Sequence, residues 1–221
     1  MWLGGAISYT DGNNDFANGD GDSETYAFTG YGSWLADNGM FVDVTGKVGR
    51  LKNSFDISTT LGTASGSYNT NAFSLSAEAG WRLHPLDNSL YVEPQVEMMY
   101  GRVLDADYTT SMGVAVEHEA VDTLIGRVGF VLGLKCPNNR GNTYVRASIL
   151  HDWQGDAEST CTKGGQTKRI SEELGDTWLE YGVGANFNAT KNLHLYADLE
   201  ATEGAKVETS YRFNLGARWS F

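Results

Sequence analysis

Three carboxylates invite a chemical reading first. Glu93 and Glu97 stand four residues apart in one segment, and Glu78 stands in the segment before it. Like charges brought close raise a carboxyl pKa, which is how such a group becomes a general acid or base. Arg82, Arg127, Arg146 and Arg212 lie in similar segments, and pairing with them would make the same carboxylates an unreactive ion network. His151 and Asp152 are the second candidate. Neighbours on an extended chain point to opposite faces, so these two cannot form a dyad with each other. His194 has no second histidine at ligand spacing and reads as a hydrogen-bonded wall residue, and two cysteines, Cys136 and Cys161, are too few for a disulfide framework or a zinc cluster. None of these groups implies a cofactor.

The elements that must position them repeat with a period of two. Tyr211, Phe213, Leu215, Ala217, Trp219 and Phe221 alternate with Arg212, Asn214, Gly216, Arg218 and Ser220. A strand puts these two sets on opposite faces, one oily and one polar. The same alternation reads as strands over Met1–Thr10, Glu24–Ala36, Met40–Leu51, Phe73–Leu83, Leu90–Tyr100, Leu124–Leu134, Val145–Trp153, Leu179–Phe187 and Leu193–Leu199. Pro94 is the one residue awkward within such a strand. Between them, Asp11–Asp22, Ser54–Thr70, Leu104–Val121 and Asp156–Glu173 read as long polar loops, the third with a small hairpin around Met112 and Gly113. Asp37–Gly39, Pro85–Asn88, Pro137–Arg140 and Ala189–Lys191 read as tight turns, and Glu203 and Gly204 open a brief connection to the last strand.

Composition sets the bounds. With 221 residues, 12% aromatic content, 27 Gly and 3 Pro, the chain suits many strands in one domain. No apolar run approaches the ~20 residues of a membrane helix, so a membrane would be crossed by strands. A net charge of −12 without a basic stripe argues against nucleic acid as a partner. Met1, Trp2 and Leu3 do not open a signal peptide.

Two regularities then point to an antiparallel up-and-down transmembrane β-barrel. Long and short connections alternate for about ten strands, as expected when the two ends of a meander face different compartments. The charges also share one face: Asp43, Lys47, Glu78, Arg82, Glu93, Glu97, Arg127, Arg146, Glu180, Asp198, Glu208, Arg212 and Arg218 all oppose the apolar series. In a barrel they would line a wet lumen, with Gly80, Gly129, Gly182, Gly184 and Gly216 keeping it open. A soluble sandwich gives the same alternation, so loop asymmetry and the placement of Trp34, Trp81, Tyr100, Trp153, Trp219 and Phe221 near strand ends decide for the membrane.

The segments YGSWLADNGMFVDVTGKVGRLKN, AEAGWRL, YVEPQVEMMYGRV, GRVGFVLG and YRFNLGARWSF, in that order, resemble the C-terminal translocator barrel of autotransporters, the type V secretion proteins of Gram-negative bacteria. The resemblance implies an all-β barrel domain over residues 1–221, with about ten strands present of an expected twelve. Met1–Thr10 resembles the third strand, so a threading helix and two strands are expected to be missing. It implies a bacterial outer-membrane location, a passenger polypeptide upstream in the same chain, and export of that passenger through the polar lumen. It further implies contact with outer-membrane lipid and with the barrel-assembly machinery, which would read Tyr211, Phe213, Leu215, Trp219 and Phe221. The expectation is a non-enzymatic domain, although some such barrels cleave their own passenger with interior acids. The alternative is an outer-membrane surface protease or hydrolase of the omptin kind, using groups near His151 and Asp152. In the barrel reading Cys136 and Cys161 lie a membrane apart, beyond disulfide reach.

Overall fold

A computed structural model describes residues 1–60, 62–85, 89–136, 140–204, 206 and 210–219. Its strands are β1 (Trp2–Phe16), β2 (Gly19–Leu35), β3 (Met40–Thr59), β4 (Gly62–Trp81), β5 (Leu90–Val103), β6 (Ala106–Thr109), β7 (Ala115–His118), β8 (Val121–Lys135), β9 (Gly141–Asp152), β10 (Asp156–Lys163), β11 (Gln166–Glu173), β12 (Thr177–Asn188), β13 (Leu193–Glu203) and β14 (Arg212–Trp219). Ten of them form one antiparallel sheet in the order β1-β2-β3-β4-β5-β8-β9-β12-β13-β14, each strand beside its predecessor in the meander. The sheet curls into a half-barrel with β1 and β14 as its two edges.

Its apolar side chains are not hidden. Ile7, Val128 and Leu215 are 88%, 64% and 73% exposed, and they belong to one continuous outward face. Cross-strand registry builds that face row by row: Ile7, Phe28, Val48 and Phe73 lie side by side on β1 to β4, and Val128, Ile149 and Leu179 on β8, β9 and β12. A sandwich would bury such rows against a second sheet. Exposed apolar rows of this kind are what the outer wall of a transmembrane barrel presents.

Two expected loops are strands instead. Asp11–Asp22 and most of Ser54–Thr70 continue the β1–β2 and β3–β4 hairpins, with pairing unbroken to Phe16 opposite Gly19 and to Thr59 opposite Gly62. Backbone ladders need no apolar side chain, so polar composition signals solvation and not the absence of a strand. At 20 residues each, β3 and β4 reach on the order of 65 Å along the strand, well past an apolar band ~25 Å tall. The expected loop Asp156–Glu173 likewise folds as the β10–β11 hairpin. The hairpin around Met112 and Gly113 is present as β6 and β7, with Gly113 at φ 74°. These four strands join in a second sheet, β11-β10-β7-β6, that stands on the end carrying the long connections.

The other end carries the short turns. At Asp37–Gly39, Gly39 takes φ 87°, Ala36 and Met40 close the turn, and the Trp81 indole N–H donates to the Asn38 carbonyl at 2.9 Å. Of the other expected turns, residues 86–88 and 137–139 lie outside the described residues.

Candidate functional site

The inward face of the sheet divides sharply. On β1 and β2 it carries mostly small or hydroxyl side chains, with Ala6, Ser8 and Thr10 facing Thr29, Ala27 and Thr25, and these face Lys47, Gly49 and Leu51 on β3. From β4 onward it is ionic. One row runs Asp43, Glu78, Glu97, Arg127 across β3, β4, β5 and β8, three acids followed by one base. Arg127 answers them: its Nη2 donates to Glu78 at 2.6 Å, its Nε to Glu97 at 2.8 Å and its Nη1 to Gln95 at 3.2 Å. Glu93, almost fully buried, accepts from Arg82 at 2.5 Å and from Gln95 at 2.9 Å.

A second knot lies toward the last strands. Arg212 donates to Glu200 at 2.5 Å and 3.1 Å and approaches Glu180 at 3.7 Å. Arg146 reaches Glu200 and, at 3.8 Å, Asp198, which also accepts from Asn214 at 2.8 Å. The sequence list therefore collects into contacts for Glu78, Arg82, Glu93, Glu97, Arg127, Arg146, Glu180, Asp198 and Arg212. Asp43 stays apart, with Oδ1 buried and without a hydrogen-bond partner, and Lys47 faces Ser74. Arg218 lies opposite His194, whose Nδ1 is hydrogen-bonded to Asn188 Oδ1 at 2.5 Å, and Glu208 lies outside the described residues. Glu200, which the alternation puts on the polar face two positions from Asp198 and which the list of wall charges leaves out, is at the centre of this knot.

The interior glycines do not hold the lumen open, contrary to expectation. A Cβ at Gly80, Gly184 or Gly216 would meet the ring of Phe41, Tyr144 or Tyr196 within about 2.5 Å, and Gly133 and Gly4 are covered in the same way by Tyr91 and Tyr31. Gly129 is filled by Ser148 and Gly182 by Glu200 and the Leu199 carbonyl. These glycines make room for a neighbour on the wall itself.

On the outward face of β14, Tyr211, Phe213, Leu215 and Trp219 are all more than half exposed, while Phe221 lies outside the described residues. At the long-connection end, His151 and Asp152 part company as expected. His151 turns outward, hydrogen-bonded to Thr177 Oγ1 at 2.7 Å and edge-on to Trp153, while buried Asp152 accepts from the Leu124 and Gln154 amides at 3.0 Å each. Asp152 is a loop clamp. Cys161 sits in the second sheet and Cys136 just past β8 at the short-turn end, and neither is in a disulfide.

That second sheet docks on the β3–β4 hairpin through aromatic rings. Tyr108 stacks on Tyr68 with centroids 5.1 Å apart, Phe55 meets Tyr108 edge-on at 5.8 Å, and His118 lies 5.2 Å from Tyr68. His118 Nδ1 is hydrogen-bonded to Ser159 Oγ at 2.6 Å, linking β7 to β10. Burial pushes the Tyr108 hydroxyl up to about 12 and the His118 imidazole below its usual value, the latter partly opposed by Asp107.

A family model described as the autotransporter beta-domain matches residues 1–200. The chain belongs to the autotransporter β-domain family. The pertactin autotransporter of Bordetella parapertussis is 31% identical over 224 residues, covering 99% of this chain and 24% of that protein. The probable autotransporter YcgV of Escherichia coli K12 is 27% identical, covering all of this chain and 23% of that protein. The chain thus spans about a quarter of the length of these relatives. Among solved structures, the β-domain of the Bordetella autotransporter BrkA aligns with TM-score 0.75 at 25% identity, covering 99% of this chain and 83% of that one. The translocator domain of NalP from Neisseria meningitidis shares the fold, with TM-score 0.81 at 16% identity and coverage of 99% and 75%. This β-domain is an outer-membrane translocator of the Gram-negative type V secretion class.

Proposed function

We propose that the inward wall is a hydrated, non-catalytic conduit for a passenger encoded upstream in the same protein. The observation that carries this reading is the pairing of the acids. Glu78, Glu93, Glu97, Glu180 and Glu200 are each in contact with a guanidinium, so the wall is wet and charged without a cluster of free carboxylates poised for proton transfer. A passenger slides past mixed charges that already satisfy one another. In this reading the long connections face the exterior, the outward rows meet outer-membrane lipid, and Tyr211, Phe213, Leu215, Trp219 and Phe221 are the series recognised by the barrel-assembly machinery. Residues 1–221 act as one β-domain whose free edges, β1 and β14, are joined by further strands, because unpaired backbone in hydrocarbon is unfavourable.

The test uses the full-length natural protein in its outer membrane. The E78Q/E97Q variant should display its passenger at the surface as the parent does, with the same passenger length on a gel. Intact display with a change in passenger cleavage would make these carboxylates reactive groups and sink the conduit reading. The surface-hydrolase alternative would need His151 and Asp152 to act together, and they face opposite sides, His151 on Thr177 and Asp152 on the Leu124 and Gln154 amides. H151A should leave any peptidase activity of washed cells unchanged.

A further inference from the structure

The outward wall carries a second feature, just beyond the apolar rows at the long-connection end. Arg50 follows Val48 by two positions on β3, Lys52 follows by four, and Arg102 follows Tyr100 by two on β5. All three share the lipid-facing side of their strands. Two of them are neutralised within the protein. Lys52 lies 3.4 Å from Glu24 and over the Tyr26 ring, and Arg102 lies 3.0 Å from Asp122, which also accepts from the Tyr100 hydroxyl at 2.6 Å. Arg50 is exposed, and among the described residues no carboxylate stands within ion-pair distance of it. Its register neighbours are Tyr26 and Asn71, one aromatic and one amide.

Further down the same face the wall is hollow. Gly5, Gly30 and Gly46 lie side by side on β1, β2 and β3, where other rows carry Ile7, Phe28 and Val48. A Cβ at Gly30 would meet nothing within 4 Å. The result is an apolar depression of about 420 Å³ bordered by Leu3, Trp34 and Val44. An uncompensated guanidinium at the membrane rim above an empty apolar groove matches an amphiphile with an anionic head and a long tail.

We propose that this sector binds one outer-leaflet lipid through a headgroup phosphate on Arg50, with an acyl chain running down past Val48 into the groove at Gly46 and Gly30. A guanidinium takes a phosphate through two parallel N–H donors, and Arg50 has both free. Glu24 and Asp122 already hold Lys52 and Arg102, so Arg50 is the cation of this group left to take the phosphate. The assignment rests on the long connections facing outward. In the opposite orientation the same residues would face the inner leaflet.

The experiment takes the full-length natural protein, purified in mild detergent and returned to phosphatidylcholine nanodiscs, and titrates lipopolysaccharide against it with native mass spectrometry as the readout. The parent should hold one lipopolysaccharide. R50A should weaken binding about fivefold and R50E on the order of twentyfold, as expected for losing and then reversing one charge at an anionic lipid surface. Lipopolysaccharide stripped of its phosphates should bind the parent about as weakly as intact lipid binds R50A. G30L starts from a position where a Cβ meets nothing within 4 Å and puts its side chain into the groove, and it should weaken binding while the protein keeps its folded mobility on an unheated gel. Equal affinity of parent and R50E, or indifference to the phosphates, would overturn the headgroup site. Unchanged binding by G30L would overturn the acyl groove, and competition by millimolar inorganic phosphate would reassign Arg50 to a free anion. Passenger display should be unaffected by R50E, so failure of the lipid site and failure of the conduit reading are told apart.

Discussion

The two halves of the inward wall are built on the same hydrogen-bonded ladder and stabilised differently. Along β1 to β3 the inward side chains are mostly uncharged and, among the described residues, form no ion pair, so the backbone pairing does nearly all the holding. From β4 to β14 the same ladder is overlaid with ion pairs that reach across two or three strands, Arg127 bridging β4 and β5 from β8 and Arg212 bridging β12 and β13 from β14. Charge is thus used where the wall is crowded with acids, and Arg127, Arg146 and Arg212 are each placed against more than one. The lesson is that a wet lumen does not make its charges independent.

Breaking Arg127 should show the contrast most strongly. R127A leaves Glu78 and Glu97 side by side without a counter-charge and should cost about 3 kcal/mol of stability, read as the urea midpoint in detergent. K47A, in the plain half, should stay within about 0.5 kcal/mol of the parent. Equal losses would mean that the two halves are not distinct.

A smaller effect is expected from the covered glycines. G216A drives a methyl into the Tyr196 ring and should destabilise by about 1–3 kcal/mol, while G30A on the bare outward row should be near neutral. Adding Y196A to G216A should recover part of the loss by vacating the space.

The smallest effect concerns the external sheet. The His118 value is lowered in the folded protein, so its contribution is present above the unfolded value near 6.5 and is lost as pH falls through the lowered one. Amide protection over 106–118, corrected for the intrinsic pH dependence of exchange, should fall between pH 7.5 and pH 5 in the parent. In H118F that fall should vanish.

How much of this was visible in the chain follows from what each signal measures. Alternation in Phe73–Leu83 or Leu179–Phe187 reports a wall with two different sides, so the ten spanning strands and their faces could be read directly. Asp11–Asp22 could not, because its polarity reports water on both sides, which a projecting ribbon and a loop share. The second sheet was hidden for another reason. Cys161 pairs with Val116, 45 positions earlier, and no local pattern encodes such a meeting. The partners of Arg127 were foreseeable as types and not as distances. The filling of Gly184 by Tyr144 needed the register, which alternation leaves undetermined in steps of two.

That indeterminacy gives the rings over glycine a further meaning. On the inward face they cross β1–β2 (Tyr31 on Gly4), β3–β4 (Phe41 on Gly80), β5–β8 (Tyr91 on Gly133), β9–β12 (Tyr144 on Gly184) and β13–β14 (Tyr196 on Gly216), so each strand of the large sheet takes part once. Of these boundaries, β5–β8 and β9–β12 are joined by long connections, whereas β1–β2 and β3–β4 stay paired right up to their turns, at Phe16–Gly19 and Thr59–Gly62. A tight turn measures out the offset between the strands it links, but a long connection leaves them able to shift by two residues without exposing a single side chain to the wrong medium. Tyr196 shifted one step would confront Asn214 or Arg218 in place of a hole. The rings therefore behave as keys cut for one notch each, holding alignment at five seams, among them β5–β8 and β9–β12, where the connecting chain is too long to set it.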